Sequence, residues 1–242
     1  TLLIFVCATT LATGRGRHNR MYAVPRPGPV SIDGKLEDWD MSGHLLSYVR
    51  KAASEVQSAR FAVMYDEKAI YLGAEVRDPN PMMNRHDPKV EPGRGWDADS
   101  CQFRMVVDPE QGYPVNMGKG DKNDQLIHMT IWYFTDRKEP VLQLMHGFYQ
   151  TFEPWPDGVV PHENYDAAYR KTDDGKGYVF EYRIPWSTLR AKNPPQGGDL
   201  VPATVQFNWS RPDGMKLAVG SSHVYDLMSG AGFPYKDSFC WG

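Results

Sequence analysis

Between Gly95 and Asp108 the chain reads GWDADSCQFRMVVD, and this stretch gathers side chains able to hold a small polar ligand. Trp96 follows a loop rich in Pro and Gly, and two carboxylates, Asp97 and Asp99, come next. A strand pattern then alternates. Cys101, Phe103, Met105 and Val107 fall on one side, and Gln102, Arg104, Val106 and Asp108 on the other. A planar amide and a guanidinium beside an aromatic ring suit a flat, hydroxyl-rich ligand, which needs a surface to stack on and forked donors and acceptors around it. The plainer alternative is a solvated strand face with a core Trp. A second stretch, TVQFNWSR at 204–211, has the same form. Val205, Phe207 and Trp209 share one face, Gln206, Asn208 and Ser210 the other, and Arg211 ends the run. If both strands belong to one sheet, Gln102, Arg104, Gln206, Asn208 and Arg211 line a common polar surface.

Other chemistry has weaker support. Asp97 and Asp99, with Asp121 and Asp124 of the GDKND loop, offer hard oxygen ligands of the kind calcium takes, although the full EF-hand pattern is absent. The seven His are scattered, with no HExxH and no His/Cys spacing for zinc. No GxSxG elbow and no phosphate-binding Gly-rich loop is present. Glu181 with Asp97 or Asp99 would be the carboxylate pair of a glycosidase, but any β-protein offers such pairs. The expectation is a protein without catalysis.

The elements that must position these residues are short and β-rich. The hairpin 59–66/69–78 turns at Glu67-Lys68, with Ile70, Leu72, Ala74 and Val76 facing in. A Pro-rich irregular loop, 78–95, delivers Trp96. Strands are expected at 100–108, 126–134 and 141–148, and at 167–172 and 177–186, where Tyr178, Phe180, Tyr182 and Ile184 face in. Further strands are expected at 204–211 and 216–222. Val30 to Gly34 reads as a short strand entering an Asp-Gly turn, and 185–189 as a short helix capped by Ser187. About ten strands with no repeat and no linker predict one all-β domain, an antiparallel β-sandwich of jelly-roll or immunoglobulin-like layout. With 12% aromatics, 22 Gly and 19 Pro the composition agrees, and a formal net charge of −3 gives no reason to expect nucleic acid or an anionic membrane as partner.

The first 14 residues, TLLIFVCATTLATG, form an apolar run ending in small residues. The run is too short to span a bilayer and reads as the remnant of a secretory signal. A basic, Pro-rich arm (15–29) follows, and the domain is expected over 30–242. Secretion would allow Cys101 and Cys240 to pair, although the inward face of Cys101 favours two buried free thiols.

Four pieces, in order, resemble the family 9 carbohydrate-binding modules and their DOMON-like relatives. They are Ser31-Ile-Asp-Gly-Lys-Leu-Glu-Asp-Trp39, Ala-Glu-Val-Arg-Asp78, Trp96-Asp-Ala-Asp-Ser-Cys-Gln-Phe with Val107-Asp108, and Tyr178-Val-Phe-Glu-Tyr-Arg-Ile-Pro-Trp-Ser-Thr-Leu189. The resemblance covers roughly residues 24–242. It implies a β-sandwich that binds sugars, often at chain ends, with structural calcium in some members. It implies a stacking role for Trp96 and a polar contact at Gln102, where the family usually carries Glu. Asn208 and Arg211 fall where further polar contacts arise. The family's second sandwiching Trp has no counterpart; His223 and Tyr225 stand there, and Tyr225 would close the other side. The expected function is non-catalytic binding of an oligosaccharide or polysaccharide chain end by a secreted module, itself free or joined to other domains of a longer polypeptide. Two alternatives come with the resemblance. Some DOMON-like domains carry haem b for electron transfer, for which Met105, Met129, Met145, His128 and His146 are the candidate ligands. An accessory domain with no small ligand is the other.

Overall fold

The structure, a computed structural model, describes residues 21–111, 123–147 and 158–222. Among these residues twelve strands form two sheets. The first contains β1 (Ala23–Pro25), β2 (Leu45–Tyr48), β3 (Ser58–Tyr65), β4 (Ala69–Arg77), β9 (Asp166–Lys171) and β10 (Gly177–Pro185). The second contains β5 (Ser100–Val106), β6 (Leu126–Phe134), β7 (Glu139–His146), β8 (Gly158–Val159), β11 (Ala203–Ser210) and β12 (Leu217–Ser222). The first runs β1-β3-β4-β10-β9, with β2 also on β3, and the second β12-β11-β5-β6-β7-β8. All pairs are antiparallel except β1 with β3.

The two sheets face each other over one apolar cluster. Period-two alternation puts Phe61, Leu72, Phe180 and Tyr182 of the first sheet in it, with Phe103, Met129, Leu144 and Phe207 of the second. Phe61 meets Phe103 at 5.6 Å and Phe207 at 5.7 Å between ring centroids, so aromatic contacts cross the sandwich at its centre. The expected inward faces of 101–107, 178–184 and 70–76 are all in this cluster. The β3–β4 hairpin forms as expected, with Tyr65 opposite Ile70. Its unusual Glu-Lys turn is held by Asp66, whose Oδ1 accepts from the backbone N–H of Lys68 (2.8 Å) and Ala69 (2.9 Å).

Three local expectations are corrected. Val30–Gly34 is an irregular loop rather than a strand. Its backbone donors turn to a side chain instead of a neighbouring strand: Asp33 N (2.9 Å), Gly34 N and Lys35 N (3.0 Å) all donate to Glu181 Oε2 on the outer face of β10. Trp39 Nε1 donates to Glu181 Oε1 at 2.6 Å. Gly73 on the adjacent strand lets the Trp39 ring lie against the sheet, since a Cβ there would sit 2.7 Å from it. The first strand lies instead within the expected arm, at β1, and β2 was not anticipated. Residues 186–190 form a tight turn and not a helix. Pro185 is still paired with Ala69, Trp186 N donates to Lys68 O, and Arg190 takes a left-handed φ of 57°, which reverses the chain.

Cys101 is buried as a free thiol, and burial holds its pKa far above the ordinary value. The expectations on the apolar start, Asp121, His223, Tyr225 and Cys240 lie outside the described residues. Among the described residues no helix is long and apolar enough to cross a membrane.

Candidate functional site

The two strands singled out in the sequence are neighbours. β11 lies antiparallel to β5, with Gln206 opposite Gln102 and Asn208 opposite Ser100. β6 continues the sheet with Thr130 opposite Gln102, and β7 places Gln143 opposite Thr130. One row of polar side chains therefore crosses the outer face of the second sheet: Gln206, Gln102, Thr130, Gln143. The next row holds Thr204, Arg104, His128 and Met145. On the other side stand Asn208 and Ser100, with Trp132 and Val141 further across.

The hydrogen bonds fix how these groups point. A guanidinium only donates, so Arg104 Nη2 to Gln102 Oε1 (3.0 Å) orients that amide. Gln102 Nε2 then faces His128 Nε2 at 3.1 Å and Thr130 Oγ1 at 3.4 Å. Burial first, and then the Arg104 charge, hold the His128 pKa well below the ordinary imidazole value. The ring is neutral and its Nε2 accepts. On the β11 side Gln206 Nε2 donates to Asn208 Oδ1 at 2.8 Å, and Asn208 Nδ2 donates to Ser100 Oγ and to the Trp96 carbonyl, both at 3.1 Å. No member of the Gln206–Gln143 row is more than 8% exposed. Gln206 Oε1, Gln143 Nε2 and Trp132 Nε1 are buried on this face without a hydrogen-bond partner. A buried polar atom left unmade costs about 1–3 kcal/mol, so this face holds groups that a polar ligand would satisfy.

Trp96 is carried to the same face by the 3-10 turn Gly95–Asp97. Gly95 packs directly on Trp132, where a Cβ would lie 2.6 Å from the ring. Asn84, fully buried, ties the incoming loop down by donating to Gly95 O (2.7 Å) and Asp99 O (3.0 Å). The Trp96 ring is half-buried, with the Arg94 guanidinium 6.0 Å from its centroid.

The acidic residues prove to be clamps. Asp97 accepts from Arg94 Nη2 (2.9 Å), Lys216 Nζ (3.2 Å) and Leu217 N (3.3 Å). Asp99 accepts from Met83 N (2.7 Å) and Ser210 N (2.6 Å). Burial, together with the neighbouring Asp78 carboxyl, pushes Asp99 well above the usual carboxylate range. Asp124 pairs with Lys192 at 2.9 Å. Asp97 and Asp124 are thus engaged by cations and Asp99 by backbone N–H groups, so in this structure the three carboxylates fasten loops and strands. Among the described residues no three His, Cys, Asp or Glu side chains come together to hold an ion. Glu181 belongs to the other sheet and holds the 33–39 loop, so it forms no catalytic pair with Asp97 or Asp99.

The haem ligands do not assemble either. Met105 and Met129 are core residues, while His128 and Met145 are cross-strand neighbours on one face. Side by side, they cannot take opposite faces of a haem. His146 lies opposite Ile127 at the end of β7. Of the expected binding residues, Gln102, Arg104 and Asn208 meet on one face, and Trp96 joins them through its backbone carbonyl. Arg211 is exposed on the turn after β11, outside the rows, and its backbone N–H donates to Lys216 O. The sequence reading missed Thr130, His128 and Gln143 as members of this face. The available signal was their polarity at alternate positions of LIHMT and VLQLM.

No protein-family model matches the chain, and no curated protein matches it. Solved structures do. A family 9 carbohydrate-binding module from Caldicellulosiruptor kristjanssonii, in complex with cellotriose, superposes with a TM-score of 0.58 at 17% identity, over 92% of this chain and 91% of that one. The same kind of module from that organism in complex with glucose gives a TM-score of 0.56 at 17% identity, over 92% and 93%. A candidate carbohydrate-binding protein from Bacteroides uniformis gives 0.52 at 12% identity, over 91% and 95%. At these identities the likeness establishes a shared β-sandwich fold along nearly the whole chain.

Proposed function

We propose that this protein binds carbohydrate without catalysis, through the outer face of its second sheet. One observation carries the reading: a buried row of amides and hydroxyls, its donors and acceptors oriented by Arg104 and Asn208, with the acceptor Gln206 Oε1 and the donors Gln143 Nε2 and Trp132 Nε1 left open on the face. Sugars match such a surface because every hydroxyl both donates and accepts, and because the C–H face of a pyranose stacks on an indole. Trp96 supplies the stacking surface, Gln102 and Gln206 the hydrogen bonds, and Arg104 the charge that orients them. Asn208 acts partly through the Trp96 carbonyl it holds. Arg211, exposed at the adjacent turn, is a peripheral contact in this reading, which also has the protein secreted. The cellotriose and glucose complexes of the structurally similar modules support the ligand class.

Calorimetric titration with glucose and cellotriose, alongside Trp96→Ala, tests the proposal. Saturable binding is expected, weakened at least tenfold (about 1.4 kcal/mol) in the variant. A folded protein giving no heat with a broad panel of mono- and oligosaccharides would refute it.

A further inference from the structure

Strand β9 is an edge of the first sheet, paired with β10 on one side. The pairing fixes which of its backbone groups are engaged. Thr172 N donates to Gly177 O just beyond the strand, so Arg170, Ala168 and Asp166 turn their N–H and C=O groups to β10. Those of Ala167, Tyr169 and Lys171 point the other way, and no hydrogen bond among the described residues reaches them. Sheet edges are usually blunted against pairing with another chain. β1 has three residues and ends in Pro25, β8 has two residues, and β12 carries a register shift against β11. β9 has six residues, no Pro or Gly, and an unbroken register against β10.

Its side chains suit a copy of itself. Ala167 and Tyr169 pack against the core, so the outer face reads Asp166, Ala168, Arg170. Laid antiparallel about Ala168, the strand meets itself with Asp166 opposite the partner's Arg170 at both ends and the two Ala168 between them. In that register Ala167 exchanges both backbone bonds with the partner's Tyr169, which are the groups β10 leaves over. A slip of one pairing step in either direction sets Ala168 opposite a charge and loses both ion pairs. Asp166 has room for a second cation. Its side chain is 60% exposed, and Arg183 Nη1 takes Oδ2 at 3.1 Å. Beside it runs a groove of about 520 Å³, walled in part by Val30, Ile32, Pro140 and Ala167. The methylenes of an incoming arginine can lie along such apolar walls.

We propose that two copies of this chain associate edge to edge through β9, antiparallel, with Asp166 against the partner's Arg170. Opposed residues of a β-pair share a face, so the two-fold axis stands perpendicular to the joined sheet. The outer faces of both second sheets then look the same way. On the carbohydrate reading above, the pair presents two sugar sites to one polysaccharide. The association itself needs no sugar and is tested without one.

Sedimentation equilibrium of the purified chain, from low micromolar to submillimolar concentration, should show the mass rising from one chain toward two. Asp166→Arg and Arg170→Asp each set like charges opposite one another at both ends. Each variant alone should associate at least tenfold more weakly. Mixed, the two should associate again, because each arginine of one faces an aspartate of the other, and a misfolded variant could not do this. In parallel, amide hydrogen exchange at Ala167 and Tyr169 of wild type should slow as concentration rises, while Ala168, bonded to β10, stays unchanged. A chain that remains monomeric throughout overturns the proposal. So does association that neither charge reversal weakens, a mixture that fails to recover, or exchange at Ala167 and Tyr169 that ignores concentration.

Discussion

Gln102 shows how a single side chain sets the character of the face. As an amide it accepts from Arg104 and donates to a neutral His128 in the same arrangement. A carboxylate at this position would keep the first bond and lose the second, since it has no proton to give. Its negative charge, buried beside the imidazole, would favour the protonated ring. Gln102→Glu is therefore expected to raise the His128 pKa from its depressed value, with the ring gaining a proton at a higher pH than in wild type. NMR titration of the His128 ring signals checks the sign. A His128 that stays neutral to the same acid limit in both proteins would contradict this wiring. The amide is also the choice that keeps the ring an acceptor and leaves the open groups at the two ends of the row.

At the scale of elements, the loop from Ser31 to Trp39 and strand β10 are joined through one carboxylate. Glu181 is fully buried and accepts three backbone N–H groups and the Trp39 indole. Hydrogen bonds to a charged group contribute about 1.5–3 kcal/mol each, but the loop can recover some by turning to water. Glu181→Ala is expected to cost about 3 kcal/mol and Glu181→Gln less, read from urea midpoints. A truncation costing only a few tenths would mean the loop holds itself. Through this contact SIDGKLEDW and YVFEYRIP form two sides of one clasp. On the other sheet the loop 78–95 is fastened in a comparable way, by Asn84 and Asp99, so that Gly95 can press onto Trp132 and present Trp96.

Across the whole molecule, Asp78 at the end of β4 and Asp99 at the start of β5 join the two sheets as a buried carboxyl pair. Asp99 is raised by burial and by Asp78, and Asp78 is raised chiefly by burial. A folded-state pKa above the unfolded one means the contribution is full below the ordinary aspartate pKa of about 4 and is lost as pH rises through the raised value. Asp78→Asn removes one of the two charges and can donate to the other carboxylate. The variant should therefore gain on wild type in melting temperature as pH rises from about 4 to 9. A constant difference across that range would show that the pair shares no proton.

Strand existence and inward faces were legible because burial imposes a period of two on the residues that make the core, whereas the pairing of 100–108 with 204–211 stood only as a condition until the fold supplied it. Gln102, Arg104 and Asn208 stood out for the same reason, as polar residues alternating with apolar ones, and Trp96 as an aromatic ring delivered by a Pro/Gly-rich loop. The sequence by itself determined an all-β sandwich and one polar strand face on each of two similar strands. Tertiary structure alone decided the rest. Register brought Thr130 and Gln143 into line with Gln102, because which residues of different strands meet depends on hydrogen-bonded pairing between distant segments, not on any local pattern. It also turned Asp97, Asp99 and Glu181, all plausible ligands or acids when read along the chain, into clamps. A carboxylate's role depends on which donors the fold brings to it, and here those donors come from backbone amides, cations and an indole elsewhere in the chain.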